Sequence, residues 1–160
     1  VAAALCADNA DLRFLIAGDG PLRAELTARI EALGWTGRIQ VVDFVPDLAA
    51  LVSDASLFLL TSDNEGTPNV LLEAMTAGVP CISFDIGSVP DILTGPLSAD
   101  CIPFGDTPAM IARARHLLAN PLLLQAEAAF SRQRIHDDFS LTVSMERFER
   151  LFLSLCGTPS

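Results

Sequence analysis

The richest chemistry in the sequence lies between residues 61 and 75. Thr61, Ser62, Asp63, Asn64, Glu65, Gly66, Thr67, Pro68 and Asn69 form a polar, glycine-containing stretch. It runs directly into Val70, Leu71, Leu72, Glu73, Ala74 and Met75. The apolar spacing predicts a helix over residues 68–77, closed by Gly78. Its first turn would offer backbone N–H groups at Asn69, Val70 and Leu71. Such donors, with the positive end of the helix dipole, bind anions without needing a lysine. Glu65 in the loop and Glu73 in the second turn would flank whatever those donors hold. Glu73 is placed to accept two hydroxyl hydrogen bonds, as a ribose diol offers. Spacing alone is a weak argument in a chain with seven Glu, because an acid near a helix start is ordinarily favourable dipole electrostatics.

Other reactive side chains carry less. Cys6, Cys81, Cys101 and Cys156 are scattered, with no CxxC pair and no histidine at zinc spacing, so they read as buried thiols rather than metal ligands. No metal site is expected. His116 and His136 fall near helix C-termini, where a cation is favourable for dipole reasons alone. Trp35, just past Gly34, reads as a packing residue. Asp85, Gly87 and Asp91 follow a strand and fit either an acceptor-facing role or a plain loop and cap.

Helices and strands must position these groups, and the chain alternates between them. Short apolar runs at 12–17, 39–42, 56–60 and 80–84, with a shorter one at 101–104, read as buried parallel strands. Between them, Leu22, Leu26, Ile30 and Leu33 share a helical face. Pro21 suits that helix's first position and Gly34 its end. A short helix is expected over 48–53, with longer ones over 107–119 and 121–135. The last helix starts from Ser140 as N-cap and carries Leu141, Met145, Phe148, Phe152 and Leu155 on one stripe. Strands alternating with helices imply an α/β fold, a parallel sheet covered on both faces.

Composition narrows the partners. The 160 residues are 51% hydrophobic and 19% charged, enough for a real core and too apolar for a disordered chain. The net charge is −10, and all ten bases are arginine. No basic stripe exists to neutralise a nucleic acid or an anionic membrane surface. No apolar run approaches a membrane span, and nothing at Val1 reads as a signal peptide.

Four ordered motifs bring in a family. Residues 65–75, Glu65-Gly66-Thr67-Pro68-Asn69-Val70-Leu71-Leu72-Glu73-Ala74-Met75, resemble the E-x7-E motif of family 4 glycosyltransferases with the GT-B fold. Residues 10–21 resemble that family's second strand and its GDGP turn. Asp43-Phe44-Val45-Pro46 resembles its GFV turn, and Ala77-Gly78-Val79-Pro80 the GxP that follows the motif helix.

The resemblance implies the C-terminal, Rossmann-like half of a GT-B fold, a doubly wound parallel sheet. It divides the chain into 1–138, a nucleotide-sugar-binding domain lacking its first strand, and 139–160, a helix packing towards an absent N-terminal domain. On this reading the 12–17 and 56–60 strands lose their shared neighbour, and the stripe of the last helix is partly exposed. Glu65, the candidate catalytic residue, would orient the donor sugar rather than attack it. Gly66, Thr67, Pro68 and Asn69 would line the sugar pocket, and the N–H groups of Val70 and Leu71 would bind the diphosphate. Glu73 would bind the ribose, and Gly20, Pro21 and Val45 would lie near the base. Two departures from the family pattern stand out: Thr67 where Phe or Leu is common, and Asp43 where Gly is frequent.

The activity implied is sugar transfer from a nucleoside diphosphate donor to an acceptor hydroxyl, retaining and metal-independent, with no cofactor. The acceptor would be a glycan or a lipid-linked molecule, the location cytoplasmic, and any membrane contact made through the absent domain. Without the family's upstream Arg and Lys, the fragment alone is expected to be inactive. Two alternatives remain beside this reading. One is an NAD(P)-dependent oxidoreductase, suggested by Gly18-x-Gly20 and Asp43, although Pro21 removes an N–H and Arg23 occupies the third glycine position. The other is a sugar-nucleotide-binding module or epimerase of the same fold.

Overall fold

The computed structural model describes residues 1–43, 45 and 48–156. Within them the chain alternates as the apolar runs foretold. α1 (Ala2–Asp8) precedes β1 (Phe14–Ala17), α2 (Arg23–Ala32), β2 (Ile39–Val42), α3 (Leu48–Val52) and β3 (Phe58–Leu60). Then come α4 (Asn69–Ala77), β4 (Cys81–Phe84), α5 (Val89–Ile92), a 3-10 turn (Gly95–Asp100) and β5 (Cys101–Ile102). Three long helices close the chain: α6 (Thr107–Leu118), α7 (Pro121–Arg134) and, beyond a π turn (Ile135–Phe139), α8 (Leu141–Cys156). The turn read at Phe44, Pro46 and Asp47 lies largely outside the described residues.

All strand pairing is parallel, but the described strands form two sheets. β1 pairs with β2, with Phe14 opposite Ile39 and Ala17 opposite Val42. β4 lies between β3 and β5, with Phe58 opposite Cys81 and Ser83 opposite Cys101. No ladder joins β1 to β3, so each keeps one edge without a strand partner among the described residues. This is the arrangement expected of two strands that lack a common neighbour. α1 ties the sheets together, placing Leu5 in the larger core and Cys6 in the smaller, while Phe14 touches both.

The larger core centres on β4, whose four residues are all buried. That follows from its unbroken apolar run, since a central parallel strand is covered on both faces. α4 and α6 pack on it, supplying Leu71, Ala74, Met75, Met110, Ala114 and Leu117, all buried. α4 ends as its sequence foretold: Gly78 adopts φ +76° and Val79 N–H returns to the Ala74 carbonyl at 3.0 Å. This is the left-handed glycine cap. A Cβ on Gly78 would lie 1.7 Å from the Arg132 guanidinium.

Two helical faces differ from expectation. Of the four apolar residues on α2, only Ile30 is buried, and Leu22 and Leu33 stay exposed. Pro21 precedes the helix, which starts one turn later because Gly20 accepts from Arg23 N–H and forms a tight turn first. On α8 the Leu141, Met145, Phe148, Phe152 and Leu155 stripe is 54–78% exposed, and no residue of that helix is buried.

A buried ionic cluster fastens α6 and α7 to the 3-10 turn. Arg113 donates to Asp100 Oδ1 at 2.8 Å and to Glu127 Oε1 at 2.5 Å. Asp100 is 0% exposed and Glu127 3%. Two carboxyls thus share one guanidinium. Burial, and then the Asp100 charge, push Glu127 up to about 7. Burial likewise raises Asp100, as expected for like charges taken out of water.

Candidate functional site

The polar stretch 61–68 leaves the carboxyl end of β3 and enters α4, the end of a parallel sheet where ligands bind. Pro68 is buried and extended, at φ −76° and ψ 94°, and caps the helix instead of starting it. It has no N–H, and its carbonyl becomes the helix's first acceptor. Leu71 N–H donates to it at 3.0 Å and Leu72 N–H at 3.4 Å. The N–H of Leu71, expected to be open, is therefore engaged by its own first turn. Those of Asn69 and Val70 bond to no described residue. Leu71 is wholly buried and anchors the helix, whereas Asn69 and Val70 face outward.

Both carboxylates are available. Glu65 is half-buried in the loop and Glu73 is exposed in the second turn; neither makes a hydrogen bond or ion pair with a described residue. Gly66 and Thr67 are exposed between them. Two carboxylates and two open amides therefore belong to one loop and one helix start. Acids and N–H donors of this kind suit a ligand bearing both hydroxyls and negative charge.

The loop is held from behind by the turn after β4. Ser88 N–H donates to the Gly66 carbonyl at 3.1 Å, and Ser88 Oγ donates to the same oxygen at 3.2 Å. Gly87 has φ +50°, and a Cβ there would lie 2.1 Å from the Glu65 carbonyl oxygen and 2.5 Å from that of Gly66. Gly87 thus serves as backing for the loop. Asp85 N–H bonds to the Ile102 carbonyl at 2.7 Å, and the Asp91 carbonyl accepts from Arg134 at 2.6 Å. Ser88 and Arg134 were missed in the sequence. Only the glycine after a strand hinted at a close approach.

The base-side residues lie at the ends of β1 and β2. Gly20 N–H is occupied by Asp19 Oδ1 at 2.9 Å, and Pro21 has none to give. A dinucleotide phosphate would find no open amide at either position, which counts against the oxidoreductase alternative. Arg23 forms an ion pair with Asp43, joining the two loops; the acid standing where glycine is frequent thus has a partner. Val45 is half-buried. Among the described residues, no hydrogen bond or ion pair links Gly20, Pro21 or Val45 to the Glu65 loop. His116 and His136 are exposed at α6 and the π turn, with His136 against Asp137 at 2.9 Å. Trp35 packs in the smaller core, with the Arg38 guanidinium 4.7 Å from its ring centre.

Comparison with known proteins agrees with this picture. The sequence profile of the family described as "Glycosyl transferases group 1" matches residues 1–120. Over 142 residues the chain is 27% identical to N-acetyl-alpha-D-glucosaminyl L-malate synthase of Bacillus anthracis, covering 89% of the chain and 37% of that protein. It is 30% identical over 145 residues to the putative colanic acid biosynthesis glycosyltransferase WcaL of Salmonella typhimurium, covering 85% and 36%. The chain thus spans little more than a third of these relatives' length. TarM of S. aureus, solved with UDP among its ligands, superposes with a TM-score of 0.84 at 21% identity, over 94% of this chain and 31% of TarM. HepE of Anabaena, solved in complex with UDP, gives 0.82 at 19% identity, over 92% and 43%. The parallel α/β architecture is that of the GT-B glycosyltransferases, and the chain belongs to the glycosyl transferases group 1 family as a C-terminal domain.

Proposed function

We propose that this chain is the donor-binding domain of a glycosyltransferase that moves a sugar from a nucleoside diphosphate to an acceptor hydroxyl in glycan, polysaccharide or glycolipid synthesis. One observation carries the reading. The open Asn69 and Val70 amides start α4 at the end of β3, flanked by the unpaired carboxylates of Glu65 and Glu73. Family membership and the UDP named with two fold neighbours support it.

In the proposed site Val70 N–H, with Asn69 N–H beside it, meets the diphosphate, and the Leu71 amide contributes mainly through the dipole of its turn. Glu73 accepts from the ribose diol and Glu65 from hydroxyls of the donor sugar, orienting it. Thr67, small and exposed, leaves that pocket wider than a Phe or Leu would. Gly20, Pro21 and Val45 border the base. In the reaction the acceptor oxygen bonds to the anomeric carbon as its bond to the diphosphate breaks. The diphosphate leaves with the electron pair, its charge met by fixed N–H dipoles that need no reorganisation. By resemblance the transfer retains configuration and uses neither metal nor cofactor. The acceptor, and any membrane contact, are assigned to a second Rossmann-like domain outside this chain, and the location to the cytoplasm. Among the described residues no helix is long and apolar enough to cross a membrane.

Calorimetric titration with UDP, GDP, ADP and NAD tests the proposal. Saturable binding of one nucleoside diphosphate, weakened in Glu73→Gln, is expected. Binding of NAD alone would overturn it.

A further inference from the structure

We infer that the Gly87–Ser88 turn is a positioning device for the donor pocket, setting how the protein distinguishes a nucleotide sugar from the bare nucleotide. The inference rests on the donor-site reading above and deepens it. Glu65 sits in a loop with no regular structure of its own, yet a residue that orients sugar hydroxyls has to be held within a fraction of an ångström. Its own side chain has no protein partner to hold it. The restraint reaches it through the backbone.

Gly66 supplies the handle. Its carbonyl takes two hydrogen bonds from one residue, Ser88 N–H at 3.1 Å and Ser88 Oγ at 3.2 Å. Together they fill both lone pairs of that oxygen. Gly87 lets the two segments come this close. With a Cβ it would collide with the Glu65 and Gly66 carbonyl oxygens, and its φ of +50° disfavours other residues as well. The peptide joining Glu65 to Gly66 is thus fixed against a second backbone.

The turn itself has a rigid support. Val89 and Ile92 of α5 are 0% and 1% exposed. Arg134 bonds the last carbonyls of α5, its Nε reaching Ile92 and its Nη2 reaching Asp91, both at 2.6 Å. The π turn returns Asp138 to the same guanidinium at 2.9 Å. Restraint therefore runs from Arg134 through α5 and Ser88 to Gly66 and Glu65. The open amides of Asn69 and Val70 lie only a few residues further on. Diphosphate contacts belong to α4, which its own core residues hold; sugar contacts belong to the loop, which Ser88 holds. Loosening Ser88 should cost the sugar and spare the diphosphate.

The test uses Ser88→Ala, with Ser88→Thr as the variant that keeps the hydroxyl. The probes are UDP, UDP-glucose and UDP-N-acetylglucosamine, titrated into wild type and both variants. For Ser88→Ala we expect unchanged UDP affinity and a melting temperature near wild type. Any tighter binding of a UDP-sugar over UDP should fall at least fivefold, and Ser88→Thr should restore it. Hydrogen exchange at the amides of residues 66–70 should accelerate in Ser88→Ala without ligand. Equal losses for UDP and UDP-sugar, or undiminished sugar preference with unchanged exchange, would overturn the inference and leave donor binding standing. Wild type that binds none of these probes, nor their GDP and ADP counterparts, would overturn the donor-site reading and this inference together.

Discussion

Raising the pH from 5 to 8 should destabilise this protein through Glu127, and the size of the effect follows from its surroundings. Glu127 is held at about 7 instead of its ordinary 4.5 by burial and by the neighbouring Asp100 charge. In the unfolded chain it ionises near 4.5. Between the two values the folded state holds a proton that the unfolded state has released, so stability must fall as pH rises. The contribution is complete below about pH 4.5 and gone above about pH 7. A gap of that size corresponds to about 3 kcal/mol. For a chain of this length it is a melting-temperature loss of roughly 6–12 °C. Asp100, also held above its usual value, acts in the same sense, and the pair titrates as a unit. Glu127→Gln removes the titration while keeping an oxygen for Arg113. Urea unfolding at half-unit steps from pH 5 to 8 should therefore show wild type losing about 3 kcal/mol more than the variant. Parallel curves would refute the reasoning, because they would mean that Glu127 is already charged, or already wet, in the folded protein.

Three further expectations can be checked directly. Glu73→Gln should weaken nucleoside diphosphate binding by about 1.5–3 kcal/mol, through loss of charged hydrogen bonds, with an unchanged melting curve because the residue is exposed; calorimetry reads both. Gly78→Ala should cost roughly 1–3 kcal/mol in urea unfolding, since φ is +76° and the Arg132 guanidinium occupies the Cβ position. Phe148→Ser with Phe152→Ser should change stability by no more than about 1 kcal/mol, because both rings are more than half exposed on α8; a large loss would mean that the stripe is packed.

What was legible in the sequence is what short-range physics controls. The unbroken Cys81–Phe84 run had to be a covered parallel strand, because nothing in it could face water. Gly78 had to end α4, since φ +76° is open to glycine at little cost. The E-x7-E segment could be located, and its helix placed, from its own residues. Even there, local reading slipped by one position: Pro68 has no N–H and became the cap, and its carbonyl took the Leu71 amide.

Everything that depends on two distant segments meeting was decided by the tertiary structure. Ser88 looks like any polar loop residue until Gly66, 22 positions away, is found on its hydroxyl. Arg134 is an ordinary charge near the end of a helix until Asp91 and Ile92 present their carbonyls to it. Asp100, Arg113 and Glu127 share no motif; three separate elements bring them together, and only burial turns two carboxyls into a pair that holds a proton near neutral pH. The apolar face of α2 and the stripe of α8 read alike as amphipathic helices, yet one residue of the first is buried and none of the second. Periodicity states which side of a helix would prefer to leave water, and the rest of the fold decides whether anything is there to cover it.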